Sequence, residues 1–278
     1  MQNAELQPGT FREKKDKVFM HHFFVKKEQI RDGQIEITGS DYNHAVNVLR
    51  LKPGERLLIS DETGVDYLCE VAEILAEEEC PRLYVRIGSI SEENHELPAR
   101  VWLFQGLPKS DKMEWIIQKA TELGVSDIVP VQTKNCVVKL DGKKAEAKCA
   151  RWQAIAESAA KQSKRSRIPM VHPITRFTEA VQQSEHFAVR LIPYENEKGI
   201  LSMCEAIVSF LPGRDIAVFI GPEGGFDPME VKLAEHRGIR PVSLGKRILR
   251  TETAAIAMLS MIMIRLEIAS ELDFSEEA

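Results

Sequence analysis

A small β-rich domain followed by an α/β domain with a largely parallel sheet is predicted by three observations. From about 20 to 92, short runs of β-branched and aromatic residues recur between turn signals. From 99 onward, strand-like and helix-like stretches alternate, the pattern of parallel strands joined by crossover helices. Between them Ser91-Glu92-Glu93-Asn94-His95-Glu96-Leu97-Pro98 is polar and ends in proline, as a linker does. This places an extension at 1–19, one domain at 20–92 and a second at 98–278.

The extension is polar and reads as loosely ordered, with Met20 a candidate internal start. In the first domain the strands are the runs FFV, QIEIT, RLLISDETGVDYLCEVAEI and RLYVRIGSI. Lys52-Pro53-Gly54 and Glu62-Thr63-Gly64 supply turns, and one short helix is expected over 41–49. Short strands at this spacing predict a small barrel or sandwich.

In the second domain, strand VWLFQG precedes helix DKMEWIIQKATELG. Asp111 stands at its N-cap, Glu114 three residues on completes a capping box, and Gly124 ends it. Strand DIVPVQ, a helix over 144–163, strand MVHPI, a helix over 177–184, strand HFAVRLI and a helix over 198–210 follow. Then come strand DIAVFI, the loop GPEGGF, a helix over 228–237, strand PVSL, a further loop and a helix over 252–271. That last helix is apolar nearly all round, which fits either a central core helix or one shared between core and a subunit interface.

Composition excludes several classes. The five cysteines are odd in number, with no C-x-x-C pair, which argues against a disulfide framework and a zinc site. A reducing, cytoplasmic setting fits. The first nineteen residues lack the apolar core of a signal peptide. The longest apolar run, 254–264, falls short of a membrane span. The net charge of −5 confines any nucleic-acid surface to a local basic patch. No H-E-x-x-H, G-x-S-x-G or paired Cys/His array occurs, so metal-assisted and serine-hydrolase chemistry have no support.

Two loops carry the chemical signal. In DIAVFI-GPEGGF-DPMEVKLAEHRG a buried strand runs into three glycines, and a helix then opens on Asp227, Pro228 and Glu230. Ligands of open α/β sheets bind beyond the carboxyl ends of strands, where glycine lets the backbone approach. A plain tight turn fits the spacing equally well. The loop is neither a G-x-G-x-x-G fingerprint nor a P-loop, and Glu223 within it repels phosphate and suits a cation. The second loop, after Leu244, carries Lys246, Arg247 and Arg250 before the apolar helix. Basic side chains cluster at Lys109 and Lys112, at Lys161, Lys164, Arg165 and Arg167, and at Arg50 and Lys52. They are either a solvated face or phosphate contacts.

Taken in order, MHHFFV, H-x-x-x-V-L-R ending at Arg50, K-M-E-W-I-I-Q-K-A-T-E-L-G-V from Lys112, R-W-x-x-I from Arg151, K-Q-S-x-R from Lys161, I-P at Ile168, I-G-P-E-G-G-F and L-G-x-R-I-L-R-T-E-T-A resemble the RsmE family. That family methylates N3 of a uridine in 16S ribosomal RNA of the small subunit. The resemblance runs from about residue 20 to the last helix, and the final two motifs are its most specific part. It implies a PUA-like β-barrel that helps bind RNA, then a SPOUT-type methyltransferase domain with a C-terminal trefoil knot. It also implies S-adenosylmethionine as cofactor, a homodimer with the active site at the subunit interface, and action on the 30S subunit. By position, the cofactor residues it implies are Leu191, Pro193, Ile220, Gly221, Glu223, Gly224, Gly225, Leu244, Gly245, Ile248, Leu249 and Arg250. The RNA contacts expected are His22, Arg50, Lys109, Lys112, Lys164, Arg165 and Arg167. The family commonly has a basic residue, often arginine, after its opening Met; here His22 holds that position.

Uridine N3 carries a proton at neutral pH, so attack on a sulfonium methyl needs a base or a cation for the uracil anion. Arg250 is the candidate for the cation, and Glu223 for the base or a carboxylate facing the sulfonium. Structural roles compete with both: Glu223 as a cap for backbone amides, and Arg250 as a partner of Glu252. Two other functions fit the same residues, a SPOUT methyltransferase with another RNA target and a non-catalytic RNA-binding or ribosome-assembly protein.

Overall fold

The computed structural model describes residues 20–276 except 62, 77–78, 139–141 and 198. The expected extension at 1–19 and part of the Glu62-Thr63-Gly64 turn therefore lie outside the described residues. The chain divides into two compact units that meet at His95 and Glu96.

The first unit is built on one six-stranded sheet of order β1-β4-β5-β6-β3-β2. Its strands are β1 (His21–Val25), β2 (Ile30–Arg31), β3 (Gln34–Ile37), β4 (Arg56–Asp61), β5 (Asp66–Leu75) and β6 (Arg82–Ile90), with α1 (Gly39–Asn43) after β3. The short helix expected over 41–49 is present, opening as α1 and continuing without a break as a π-helical turn at His44–Val48. Neighbouring strands are antiparallel except β1, which lies parallel to β4. Phe23, Val25, Ile35, Ile37, Leu57, Ile59, Leu83 and Val85 fill its core, two positions apart on each strand as a half-buried sheet requires.

The second unit is a three-layer α/β/α domain. Its strands β7 (Val101–Gly106), β8 (Asp127–Gln132), β9 (Met170–Val171), β10 (Thr175–Arg176), β11 (Val189–Pro193), β12 (Ile216–Ile220) and β13 (Arg240–Val242) form one sheet. The order is β10-β8-β7-β12-β11-β13, with β9 also on β8, and every pairing is parallel. Alternation on β12 shows how the layers form. Ile216, Val218 and Ile220 face one core, and Ala217 and Phe219 face the other.

The first core is covered by α2 (Lys112–Glu122), α3 (Gly142–Gln162), α5 (Leu201–Val208) and α7 (Thr251–Glu276), the second by α4 (Phe177–Gln183) and α6 (Pro228–His236). Phe104 of β7 stacks on Phe219 of β12 with ring centroids 4.4 Å apart, locking the two central strands.

One expectation is corrected here. Asp111 does not cap α2 with its side chain, and Glu114 instead holds Arg151 of α3 at 2.7 Å. Of the two settings open for the last helix, α7 is not enclosed by this unit on all sides. Ala255, Met258, Leu259, Ile262 and Leu266 enter the core, while Ile264, Ile268 and Leu272 are exposed. By length and composition alone Thr251–Leu272 would suffice to cross a membrane, at a mean hydropathy of 1.6, but its buried face is the core of this unit.

Candidate active site

Three strands that are neighbours in the sheet, β11, β12 and β13, end beside one cavity of about 360 Å³. That volume lies in the range of small-molecule sites. Pro193, Ile220, Leu244, Ile248 and Leu249 form apolar walls, and the Gly221–Gly225 loop forms the floor beyond β12. Charge is mixed: Lys112, Lys246, Arg247 and Arg250 face the same space as Glu195 and Glu223. Ile248 is 88% exposed, an apolar side chain held in the open on the loop between β13 and α7.

The loop's shape follows from its residues. Gly225 has φ +63°, a conformation L side chains rarely adopt, and a Cβ there would lie 2.9 Å from the Glu195 carboxylate. Asp227 then starts α6 by accepting from the Met229 amide at 2.9 Å, with Pro228 at the first helical position. Glu230 reaches back to the Asp227 amide at 3.0 Å, closing the expected capping box. A strap from β8 fixes the loop's other side: Asn135 Nδ2 donates to the carbonyls of Gly224 and Gly225, and Lys134 pairs with Asp227 at 2.6 Å.

At the end of β7, Gly106 lies so close to the glycine loop that a Cβ would come within 2.7 Å of Pro222. Just beyond it, the Glu223 carboxylate accepts from the Lys109 amide at 3.1 Å and from Lys112 Nζ at 3.0 Å. Burial pushes the Glu223 carboxyl up. Hydrogen bonds from its own amide, Lys112 and the Lys109 amide outweigh that and hold it below its ordinary value. Lys112 is held more firmly protonated than usual, first by its hydrogen bond to Glu223, against a small desolvation cost.

A carboxylate so satisfied is a weak proton acceptor. In this arrangement Glu223 joins α2 and the segment before it to the glycine loop. Glu252 also meets Lys112, at 3.4 Å, and does not pair with Arg250. The Arg250 guanidinium is exposed, lines the cavity and has no hydrogen-bond or ion-pair partner among the described residues.

Most of the expected cofactor residues line this cavity: Pro193, Ile220, Gly221, Glu223, Gly225, Leu244, Gly245, Ile248, Leu249 and Arg250. Two do not. Leu191 is buried in the core beneath it, and Gly224 packs against Asn135. Tyr194 and Glu195 line it without having been expected. The only local signal for Tyr194 and Glu195 is that the chain continues past the end of a parallel strand.

The basic residues separate on inspection. Lys109, Lys164 and Arg167 are exposed in the second unit, and Arg50 in the first. Two expected RNA contacts are corrected. Arg165 is buried, pairs with Glu96 and donates to the carbonyls of Thr121 and Val125, so its charge is used inside the fold. His22 is buried in the first unit with Nε2 2.6 Å from Ser60 Oγ, and Ser60 in turn donates to Asp66.

Residues 95–263 match an RNA methyltransferase domain family, and residues 37–79 match an RNA methyltransferase PUA domain. Ribosomal RNA small subunit methyltransferase E of Bacillus subtilis is 39% identical over 256 residues, covering 90% of this chain and 98% of that protein. The protein of the same name from Synechocystis is 34% identical, over 90% of this chain and 79% of that protein.

Among solved structures, a putative methyltransferase from Legionella pneumophila, in complex with S-adenosylmethionine, superposes with a TM-score of 0.77 at 31% identity. The match covers 89% of this chain and 98% of that one. Ribosomal RNA small subunit methyltransferase E from Neisseria gonorrhoeae, bound to S-adenosyl methionine, gives 0.75 at 32% identity over 88% and 97%. Fold and site together define an RNA methyltransferase carrying a PUA domain. The chain belongs to the ribosomal RNA small subunit methyltransferase E family.

Proposed function

We propose that this protein methylates N3 of a specific uridine in 16S ribosomal RNA of the small subunit, using S-adenosylmethionine. The observation that carries the reading is the cavity itself. It combines apolar walls, a glycine floor at a strand's carboxyl end and carboxylates at its rim, in a member of this family. Pro193, Leu244 and Leu249 suit an adenine, and the Gly221–Gly225 backbone suits the polar parts of the cofactor. When bound, the cofactor supplies an electrophilic methyl group on a cationic sulfur.

The chain's own residues do the rest. Arg250, a cation with no ion-pair partner among the described residues, stabilises negative charge on the uracil as N3 gives its proton to solvent. Glu223 and Lys112 hold the glycine loop against α2 so that both reactants meet a rigid surface. Lys109, Lys164, Arg167 and Arg50 bind RNA phosphates. The same reading includes a cytoplasmic homodimer, with the exposed apolar face of α7 at its interface, and the trefoil knot that the family resemblance implies. Incubation with labelled cofactor and either 30S particles or naked 16S RNA, followed by mapping of the modified base, tests it. One N3-methyluridine, formed on the particles, is expected. Methyl transfer to another base, or none, overturns it.

A further inference from the structure

A buried polar chain connects three segments that border the cavity. Gln105, the penultimate residue of β7, is fully buried. Its Nε2 donates to the carbonyl of Gly106 at 2.9 Å and to Thr251 Oγ1 at 3.0 Å. Thr251, the first residue of α7, is also buried, and its hydroxyl donates to the carbonyl of Gly221 at 2.6 Å.

The direction of this chain is fixed. A carbonyl only accepts, so Gly106 O requires the NH₂ side of the Gln105 amide. That amide then donates to Thr251, and the one hydroxyl proton of Thr251 goes to Gly221. Gln105 Oε1 is left buried without a hydrogen-bond partner among the described residues. Buried acceptors are almost always paired.

We infer that Gln105 and Thr251 are positioning residues for the cofactor, acting through the Gly221–Pro222 peptide. Gly221 is the first residue past β12, and its Cβ position is already in contact with Gly225, so a turn of this peptide reshapes the whole floor. Thr251 holds the peptide from one side, and Gly106 lies against Pro222 on the other. Because Thr251 begins α7, the chain also ties the floor to the loop between β13 and α7, which supplies the facing wall.

The inference rests on the proposed cofactor, and the test separates the two. Binding of S-adenosylmethionine is measured by calorimetry on the full chain for wild type, Thr251→Val, Thr251→Ser and Gln105→Met, with urea unfolding of each. Thr251→Val is expected to weaken binding about tenfold, the worth of one hydrogen bond. Thr251→Ser, which keeps the hydroxyl, is expected to bind as wild type does. Gln105→Met leaves the bond to Gly221 in place and is expected to fall between them. Wild-type binding with an unchanged Thr251→Val affinity overturns the inference, as does a Thr251→Ser as weak as Thr251→Val. Absence of wild-type binding overturns the cofactor reading instead. If Thr251→Val unfolds at markedly lower urea, Gln105→Met carries the decision: wild-type affinity in it overturns the relay, and weakened affinity at a normal midpoint supports it.

Discussion

Lys112 Nζ lies 3.0 Å from Glu223 Oε1, so the first residue of α2 is joined to the glycine loop across the rim of the cavity. The same carboxylate takes the Lys109 amide, which makes Glu223 the fastening point of two segments. Glu223→Gln keeps the shape and loses the charge. The expected result is a cofactor affinity about tenfold weaker, the scale of a charge-assisted hydrogen bond. The pH profile of kcat is expected to keep its shape, since no base has been removed. Loss of an ionisation from that profile would restore Glu223 to the base role.

The lowered pKa of Glu223 carries its own pH dependence. The group is depressed in the folded protein, so its contribution is present above the ordinary carboxylate value of 4.5 and is lost as pH falls through the folded value. The difference in unfolding midpoint between wild type and Glu223→Gln is therefore expected to be constant from about pH 8 to about pH 5 and to shrink in stronger acid. Urea titrations across that range check it.

Arg250 faces the cavity with no partner to neutralise it among the described residues. Arg250→Ala is expected to lower kcat by about 10²–10³, the usual cost of removing one donor to a developing anion. Cofactor binding should hardly change. Single-turnover methylation beside calorimetry makes the distinction, and equal losses in both would place Arg250 in cofactor binding alone.

The basic stretch 164–167 divides into unlike parts. Lys164→Ala and Arg167→Ala are each expected to reduce the salt dependence of RNA binding by about one counterion. Arg165→Met leaves the Glu96 carboxylate without its buried partner and is expected to cost about 3 kcal/mol of stability. Filter binding over a salt series and urea unfolding separate these outcomes.

Asp227 and Asp111 show how far local sequence carries. Both precede a helix, and both have a glutamate three residues on. Only Asp227 has the extended backbone a cap requires, at φ −67° and ψ 141°; Asp111 sits at φ −88° and ψ 8°. The difference is tertiary. Glu223 grips the Lys109 amide, Ser110 follows at φ +56°, and Asp111 enters the helix already turned. Asp227→Ala is expected to cost about 1 kcal/mol, while Asp111→Ala is expected to cost almost nothing. Thermal unfolding of the two variants checks this.

The same division explains what was legible elsewhere. The Gly221–Gly225 loop is contiguous and marked by glycine, so its place at the end of a strand could be read, although a plain tight turn fitted the spacing equally well. The layers followed from alternation such as that of Ile216 to Ile220. Arg165 could not be told from Lys164 and Arg167, because a run of cations does not say which one turns inward. The Gln105–Thr251 contact joins residues far apart in sequence, and Gln105 lies within a strand whose apolar neighbours conceal it.

Gly106 has a consequence in terms of inheritance. It does not need glycine for its backbone angles; it needs the absence of any side chain against Pro222. Any mutation that changes the amino acid at this position, even to alanine, puts at least one carbon where the glycine loop already stands. Lineages that retain the activity should therefore show only synonymous changes at codon 106, although the residue itself bears no functional group.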